Sequence, residues 1–514
     1  MAWATMPVGI PTPPAILGQT RDETYGAGFY TYWVNNLTGN DGTAGNGGKG
    51  TEAAPRATIP TSLVAGDVVE IRGGPYTGTG LTWSGNGTAV APIIIRGPSY
   101  AERVTISRVP QVGGNYMIVE NIKFNPALIS DGTRLASYAV LRYCEFAGSG
   151  ANEGGGTTIG PSDSQHDVIV HNCSIHDWGE WQATTQNDQH GLSAGNTSGQ
   201  YNMWYLWNTL YHLGGDGIGN AHDADHAPHD LFIGGNTSYD CRENAVDLKE
   251  VHDIVISENH FYSWVESPGG SSVGAPGEAI VIHYGPDTGQ GPYNCWILNN
   301  HVHDAVYGVA YSGAQSANYV IGNVFHDCGT GINPSRGGGN YYVYHNTCYN
   351  CPIGISQDSS SSIDSLEVHG NIVSQASSRH LEVYSSTVAT NTNASHECYY
   401  QGGGNVFIAW GDDSVNYSTV AAWISGTSDG DNSIQQNPLF VNPGANNFAL
   451  QESSPCRSAG YNMLSIAATF AANWSTSLLK DIAGTSRPNG VWDMGAYQYG
   501  TTTPPTGTPV LSVR

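Results

Sequence analysis

A lysine among acidic and amide side chains is the strongest chemical signal in this sequence. Lys249 follows Glu243, Asn244 and Asp247 closely along the chain. Carboxylate and amide oxygens are the ligands that Ca²⁺ prefers in proteins, and a lysine amine can act as a base when a nearby cation lowers its pKa. Lysine is also scarce here, because Lys and Arg together number 18 against 43 Asp and Glu. The segment therefore predicts metal-assisted acid–base chemistry.

Composition narrows the classes of protein that could carry this chemistry. The net charge of −25 over 514 residues excludes nucleic-acid binding through a basic face, and it would repel an anionic substrate unless a cation intervened. No apolar run approaches the ~20 residues of a membrane span. The 67 glycines follow no Gly-X-Y period, which excludes collagen and favours a β-rich chain with many turns.

A repeat of about 23 residues organises the chain. An alternating apolar stretch is followed each time by an asparagine, at Asn121, Asn172, Asn208, Asn236, Asn259, Asn300, Asn323, Asn346 and Asn371. Strand-like alternation is present and a helical period is absent. Short strands repeated at this period predict an all-β fold, a single-stranded parallel β-helix with loop insertions. Asparagine at a fixed position suits a stacked turn whose side-chain amides bond from coil to coil.

Aligning the second strand of successive coils gathers the candidate residues. AVDLK (245–249) lies between GIGNA (217–221) and AIVIH (279–283), so Lys249 falls next to His283. This alignment turns four residues inward, namely Val246, Leu248, Ile280 and Ile282. It turns Asp247, Lys249, Val281 and His283 outward, beside a column formed by Asp216, Asn244 and Glu278. The sequence therefore predicts one outward patch with a lysine, a histidine and several carboxylates.

Both ends of the chain resemble secreted right-handed parallel β-helix proteins of the polysaccharide lyase type. The opening segment contains TGNDGTAGNGGKGTEAAPRATI and AGDVVEIRGGPYTGTGL, and the closing segments are NPLFVNPGANNFALQESSPCRSAG (437–460) and DIAGTSRPNGVWDMGAYQYG (481–500). With the repeats, this resemblance covers nearly the whole chain. The patch itself is similar to polysaccharide lyase family 6, which acts on alginate and dermatan-type chains.

The family resemblance implies β-elimination on a uronic-acid-containing polysaccharide, alginate-like in the first instance. It implies Lys249, His283 and the adjacent Tyr284 as catalytic residues, although family 6 has arginine where this chain has His283. The division between acid and base stays open. It further implies a Ca²⁺ cofactor, held by Asp216, Glu243, Asn244, Asp247 and Glu278.

Substrate-binding candidates lie around this patch. The tract AHDADHAPHD (221–230) supplies His222 and His226, whereas His229 and Asp230 recur as a His-Asp pair before other strands and are interpreted as turn residues. Trp264, in an apparent insertion, is the candidate for stacking on a sugar ring. Arg242 is a further candidate for binding an acidic polysaccharide.

The chain divides into an N-terminal extension (1–28), the β-helix (29–436), a C-terminal cap (437–500) and a Thr/Pro-rich linker (501–514). Three alternatives remain open. One is a β-helical glycoside hydrolase using two carboxylates among Asp216, Glu243, Asp247 and Glu278. Another is a viral tail-spike or adhesin that binds glycans, and the third is a C5-epimerase. A secreted monomer is expected, or a trimer on a viral particle if the chain is a spike. No signal peptide is visible, and neither membrane nor nucleic-acid partners are expected.

Overall fold

Three sheets form the walls of a β-helix, because each coil contributes one strand to each sheet in turn. Their strands are parallel except for Asn416–Tyr417 at the end of one sheet, which pairs antiparallel with Ile408–Trp410. The computed structural model describes residues 3, 5–78, 80–126, 132–151, 156–182, 184, 188–220, 228–264, 277–283, 291–313, 317–334, 338–358, 363–411, 415–488 and 490–500. The fold predicted from the sequence, a right-handed parallel β-helix, is confirmed. Among the described residues, no helix has the length and apolar character needed to cross a membrane.

Sheet A has 14 strands. In spatial order they are Tyr32–Asn35, Val68–Arg72, Ile93–Arg96, Met117–Glu120, Val140–Arg142, Val168–His171, Tyr201–Leu206, His229–Gly234, His252–Ser257, Tyr293–Leu298, Asn318–Ile321, Asn340–Tyr344, Ser365–His369 and Thr392–Ser395.

Sheet B has 12 strands and follows sheet A in each coil. Its strands are Val104–Ile106, Ile122–Phe124, Glu145–Ala147, Ser174–Trp178, Thr209–Leu213, Thr237–Tyr239, His260–Trp264, His301–Ala305, Val324–His326, Thr347–Tyr349, Ile372–Ser374 and Cys398–Tyr400.

Sheet C has 14 strands and carries the candidate site. Its strands are Leu81–Trp83, Pro110–Val112, Thr133–Leu135, Gly156–Pro161, Gln189–Ser193, Ile218–Gly219, Val246–Lys249, Glu278–His283, Tyr307–Ser312, Thr330–Pro334, Ile353–Gln357, Arg379–Val383, Ile408–Trp410 and Asn416–Tyr417.

The remaining elements lie outside the three walls or between their strands. The antiparallel strands Phe440–Asn442 and Asn447–Leu450 form a hairpin around the 3₁₀ turn Pro443–Ala445. The helices are Ala15–Gly18, Arg21–Tyr25, Ser386–Thr390, Val420–Thr427 and Leu464–Trp474.

An asparagine ladder lines the turn between sheets A and B. The side-chain oxygen of each ladder asparagine accepts from the backbone N–H of the asparagine one coil earlier and from its Nδ2, at 2.8–3.1 Å. The ladder runs through Asn208, Asn236, Asn259, Asn300, Asn323, Asn346 and Asn371, and it ends at Glu397. Every member is buried. The predicted bonding from coil to coil is confirmed.

Two asparagines that the repeat pattern grouped with this ladder lie outside it. Asn121 and Asn172 have φ values of 58° and 51°, and they occupy the left-handed turn position one residue earlier. Cys173 takes the ladder position in that coil, and its N–H donates to Asn208 Oδ1 at 3.0 Å. The sequence alignment was wrong by one residue here, because asparagine suits both a left-handed turn and a stacked amide.

Two faces of the β-helix are covered by the chain termini. Ile10 and Leu17 pack with Phe470 and Trp474 of the helix Leu464–Trp474 on the outside of sheet A. The C-terminal hairpin covers the late coils of sheet B through residues such as Phe448. In the part of the chain that the structure describes, sheet C carries no comparable apolar cover.

Candidate active site on sheet C

The register of sheet C brings Lys249 and His283 side by side. Strand Val246–Lys249 pairs in parallel with strand Glu278–His283, so that Lys249 lies opposite His283 and Asp247 lies opposite Val281. The four residues expected to point inward are fully buried in the core, namely Val246, Leu248, Ile280 and Ile282. The predicted alignment of these coils is confirmed, and the outward patch follows from it.

Asp247 bridges the two basic side chains. Its Oδ2 accepts a hydrogen bond from Nζ of Lys249, and its Oδ1 lies 3.4 Å from Nε2 of His283. The side chain of Lys249 is 16% exposed and that of His283 is 32% exposed. Both side chains are therefore partly exposed to solvent, while Asp247 between them is buried.

The backbone of Lys249 is held by Asn220 on the preceding coil. Asn220 Oδ1 accepts from the Lys249 N–H at 2.8 Å, and Asn220 Nδ2 donates to the Lys249 carbonyl at 2.9 Å. Nζ of Lys249 also donates to the Asn220 carbonyl at 3.3 Å. Lys249 is thus fixed at both its backbone and its ammonium group.

Burial alone would lower the pKa of Lys249. The negative charges of Asp247, Asp216 and Glu243 outweigh that effect, and the pKa of Lys249 is raised above its usual range. Lys249 is therefore a protonated group at neutral pH in this environment, and it can donate a proton.

A second cluster lies one coil back on the same sheet. His190, Asp216 and Glu243 each place one potential metal-ligating atom within 4.8 Å of the other two. Nδ1 of His190 is 3.0 Å from Oδ2 of Asp216. Asp216 Oδ1 accepts from the backbone N–H of Asn244 at 3.0 Å and from Asn244 Nδ2 at 2.9 Å. Imidazole, carboxylates and an amide thus meet in one buried group.

The carboxyl groups of this cluster differ in protonation. Burial raises the pKa of Asp216, but the bond to His190 and the charge of Lys249 outweigh burial and lower it. Burial together with the charges of Asp216 and Asp188 raises the pKa of Glu243 to about 8. Burial also raises the pKa of Glu278, to about 7. Asp216 is therefore ionised at neutral pH, while Glu243 carries a proton for much of the time.

Asn244 supplies a specific feature that fits a cation. Within the described residues, its Oδ1 is buried without a hydrogen-bond partner, while its Nδ2 is committed to Asp216. A buried amide oxygen without a donor is costly unless something electropositive satisfies it. Together with the Asp216 and Glu243 carboxylates, it forms an oxygen donor set suited to a divalent cation.

His190 is a site residue that sequence reasoning left unassigned. Leu192 pairs with Ile218, which places His190 in the same column as Asp216. The signal was present in the sequence, because HGLS (190–193) aligns with DGIG (216–219) in the same register. It was hard to recognise because a loop separates the two coils and the period is not constant there.

Two predicted substrate contacts are wrong. Trp264 ends strand His260–Trp264 with no exposed surface and packs in the core, so it cannot stack on a sugar ring. The Arg242 side chain is also fully buried, and its Nη1 lies 3.1 Å from Oε1 of Glu243. Arg242 is therefore placed to position Glu243 rather than to contact a substrate. Tyr284, His222 and His226 lie outside the described residues.

A cleft of about 590 Å³ adjoins the site on the side of the earlier coils. His190 lines it together with Arg134, Asp163, Asp188, Asn196 and Gln200, among others. Ser193, which lines the cleft, follows Gly160 of the preceding coil in the outward column that continues through Gly219 to Asp247. A Cβ at Gly160 would lie 2.6 Å from Ser193 Cβ, and one at Gly219 would lie 2.8 Å from Asp216 Oδ2, so glycine at these positions makes room for those two side chains.

Several solved structures are similar to this chain at low sequence identity. A mannuronic acid specific polysaccharide family 6 lyase from human gut microbiota is 13% identical, with a TM-score of 0.42, over 74% of this chain and 88% of that one. An alginate lyase from Paenibacillus sp. str. FPU-7 is 20% identical, with a TM-score of 0.31, over 51% of this chain and 89% of that one. A GH136 lacto-N-biosidase from Eubacterium ramulus is 13% identical, with a TM-score of 0.35, over 68% and 64% of the two chains.

No protein-family model matches the sequence, and no curated protein matches it either. Family 6 lyases and a glycoside hydrolase occur together among the similar structures. Similarity at this level assigns no activity to the chain.

Proposed function

We propose that this protein is a polysaccharide lyase that cleaves a uronic-acid-containing chain, alginate-like in the first instance, by β-elimination on the outer face of sheet C. The observation that carries the proposal is the pairing of Lys249 with His283 on adjacent coils, both in contact with Asp247. An imidazole and an ammonium group a few ångströms apart form a proton acceptor and a proton donor for one substrate.

The two residues take complementary roles in this proposal. His283 is the more exposed, and imidazole exchanges protons near neutral pH, so it removes the proton from C5 of the uronate. The electron pair of the broken C5–H bond forms the C4–C5 double bond as the C4–O bond breaks. Lys249, held protonated by its acidic neighbours, gives its proton to the departing glycosidic oxygen. The products are an unsaturated uronate end and a free hydroxyl end.

A divalent cation, Ca²⁺ in the first instance, is the proposed cofactor. The oxygens of Asp216, Glu243 and Asn244 would hold it, with His190 at its side. When bound, it would neutralise the substrate carboxylate and so make the adjacent proton more acidic. Asp247 keeps Lys249 in place, and Glu278 adds a further carboxyl group to the same patch.

A product assay tests the proposal. The protein is incubated with alginate, pectate and glycosaminoglycans, with EDTA or with added Ca²⁺, and the ultraviolet absorbance of the new double bond is followed together with reducing ends. A lyase produces both signals on at least one uronate polymer. Reducing ends without double-bond absorbance would overturn the lyase proposal in favour of hydrolysis.

Glycoside hydrolysis is the second candidate, and one observation favours it. The carboxyl groups of Asp216 and Glu243 lie close together with pKa values displaced in opposite directions, as in an acid–base pair. However, Asp216 is only 1% exposed and its oxygens are occupied by His190 and Asn244, which leaves it poorly placed to reach a sugar.

A further inference from the structure

A group of four histidines lies on the outer face of sheet B, away from the candidate active site. His260 pairs with His301 on the next coil, and His303 pairs with His326 on the coil after that. Their rings pack at centroid distances of 4.7–5.5 Å. The chain has 18 histidines in all, so their concentration on three adjacent coils is notable.

Within this group the imidazoles meet edge to edge in two pairs. Nε2 of His260 lies 2.9 Å from Nε2 of His303, and Nε2 of His326 lies 2.9 Å from Nε2 of His301. His326 is covered by the ring of Phe448, whereas the His303 side chain retains 16% of its exposure. The pair His260–His303 is therefore the one that a solute can approach.

Asp304 fixes the lone pair of His303 toward His260. Its Oδ2 lies 2.7 Å from Nδ1 of His303, so Nδ1–H donates a hydrogen bond to the carboxylate. Nε2 is then the unprotonated nitrogen, and it points at His260. A carboxylate behind an imidazole in this way is the usual outer partner of a metal-ligating histidine.

The spacing of the two nitrogens suits one kind of metal ion. At a metal–nitrogen distance of about 2.0–2.1 Å, two nitrogens 2.9 Å apart subtend an angle of about 90° at the metal. This is the angle between neighbouring ligands in tetragonal complexes of Ni²⁺ and Cu²⁺. Binding requires His260 to move its proton from Nε2 to Nδ1 and both rings to turn until their Nε2 lone pairs converge on the ion.

We propose that His260 and His303 form a binding site for a divalent transition-metal ion of the Ni²⁺ or Cu²⁺ type, with water completing the coordination. The site joins two adjacent coils of sheet B, and it is independent of the proposed lyase activity on sheet C. Since both ligands belong to the folded wall, metal binding is expected to raise the thermal stability of the coil stack.

The variant His303→Tyr tests the site without breaking the wall. Tyr211, Tyr239 and Tyr262 occupy this same stacked column in the preceding coils, so tyrosine is compatible with it. His252→Ala is the matched control, because His252 makes the same contact with an aspartate but stacks between His229 and Tyr293.

Ni²⁺ is titrated calorimetrically into the full, untagged protein at neutral pH, and circular dichroism verifies that each variant is folded. His190→Ala is carried in parallel to identify any Ni²⁺ bound at the sheet C cluster. We expect His303→Tyr and His260→Ala to weaken one binding event by about tenfold or more, since a chelating pair becomes a single ligand. His252→Ala should leave that event unchanged.

Three results would overturn the proposal. The first is that the wild type binds neither Ni²⁺ nor Cu²⁺. The second is that folded His303→Tyr binds Ni²⁺ with wild-type affinity, and the third is that His252→Ala loses as much Ni²⁺ affinity as His303→Tyr. None of these depends on whether the protein is a lyase, so failure of this site and failure of the proposed activity are separate outcomes.

Discussion

Two groups of buried polar side chains lie on different walls of the β-helix, and they differ in how they are satisfied. In the asparagine ladder, each amide donates to the next coil and to a backbone carbonyl, for example Asn300 to Asn323 and to Ile256. On sheet C, Asp216, Glu243 and Asn244 are equally buried, yet their carboxyl pKa values are displaced and an amide oxygen has no donor among the described residues.

The difference separates a structural use of burial from a functional one. A polar group that is fully hydrogen-bonded stabilises one conformation and has nothing left to offer a ligand. Displaced pKa values and unsatisfied oxygens are instead typical of sites whose last partner is a substrate or an ion. Glu397 at the end of the ladder shares both features, so they single out the sheet C cluster only in combination with its contacts to Lys249 and His190. The ladder should therefore respond to mutation through stability, and the sheet C cluster through activity.

The largest expected effect is the loss of activity in Lys249→Ala. Removing the proton donor should lower kcat by about 10²–10⁴-fold, the usual contribution of general acid–base catalysis, with little change in melting temperature. Lys123→Ala is the matched control, because Nζ of Lys123 also pairs with a carboxylate, Glu145, at 2.6 Å but lies on sheet B. Full activity in Lys249→Ala, or equal losses in both variants, would contradict the assignment.

Asn300→Ala should reverse that pattern. It removes the acceptor of two Asn259 donors and both donations of Asn300 itself, which should destabilise the fold by about 3 kcal/mol or more. Urea denaturation measures the change, and the activity of the protein that remains folded should be unaltered. The exposed Asn393 provides the control, since Asn393→Ala should shift the midpoint very little. Similar midpoints for the two variants would show that the ladder is not stabilising.

Glu397→Gln should stabilise the protein at alkaline pH. Burial raises the pKa of Glu397 to about 8, so the stability that its protonated form provides is lost as the pH rises through that value. Glutamine still offers an oxygen to Asn371 but cannot ionise. The gain in unfolding free energy should grow from pH 5 to pH 8 and level off at about 5 kcal/mol, because each unit by which the pKa exceeds its usual 4.5 is worth about 1.4 kcal/mol. Glu452 is exposed, so Glu452→Gln should show no such trend. A gain in Glu397→Gln that falls as the pH rises would contradict a raised pKa of Glu397.

The smallest effect is expected for Asp247→Asn. Among the charges that raise the pKa of Lys249, that of Asp247 is the largest, so its removal should lower this pKa and move the alkaline limb of the pH–activity profile downward. The accompanying loss of kcat/KM should be about tenfold or less, because Lys249 itself remains. Asp253→Asn on sheet A serves as the control. An unchanged alkaline limb would show that Asp247 does not raise the pKa of Lys249.

Most of the fold could be predicted from the repeat. The asparagines from Asn208 to Asn371 recur at the ladder position, and each coil must place its strands alike. It failed at Asn172, where one residue type suits two neighbouring turn positions. The pairing of Lys249 with His283 could be predicted because their strands share an uninterrupted apolar alternation. Trp264 could not be placed, since a tryptophan beside an insertion looks the same in sequence whether it points into the core or out.

The residues of the sheet C site also differed in how well the sequence predicted their positions. Asp216 lies on the coil before the one that carries Glu243 and Lys249, and the strands of the two coils can be aligned, so the proximity of the three residues followed from the register. His190 depended on a coil whose length departs from the period. Arg242 had the right charge for an acidic polymer, but only the packing around it reveals that its guanidinium faces inward to Glu243.

The asparagine ladder also has a direction. Every backbone N–H in it and one donation of every Nδ2 go to the following coil, while the side-chain oxygens accept from the preceding one, so the side-chain dipoles add along the axis with their positive ends toward the C-terminus. The backbone N–H and one Nδ2 donation of each asparagine therefore find their acceptor only once the next coil is in place. Glu397 accepts the last pair and offers no amide of its own. The ladder therefore runs in one direction along the chain and ends at Glu397.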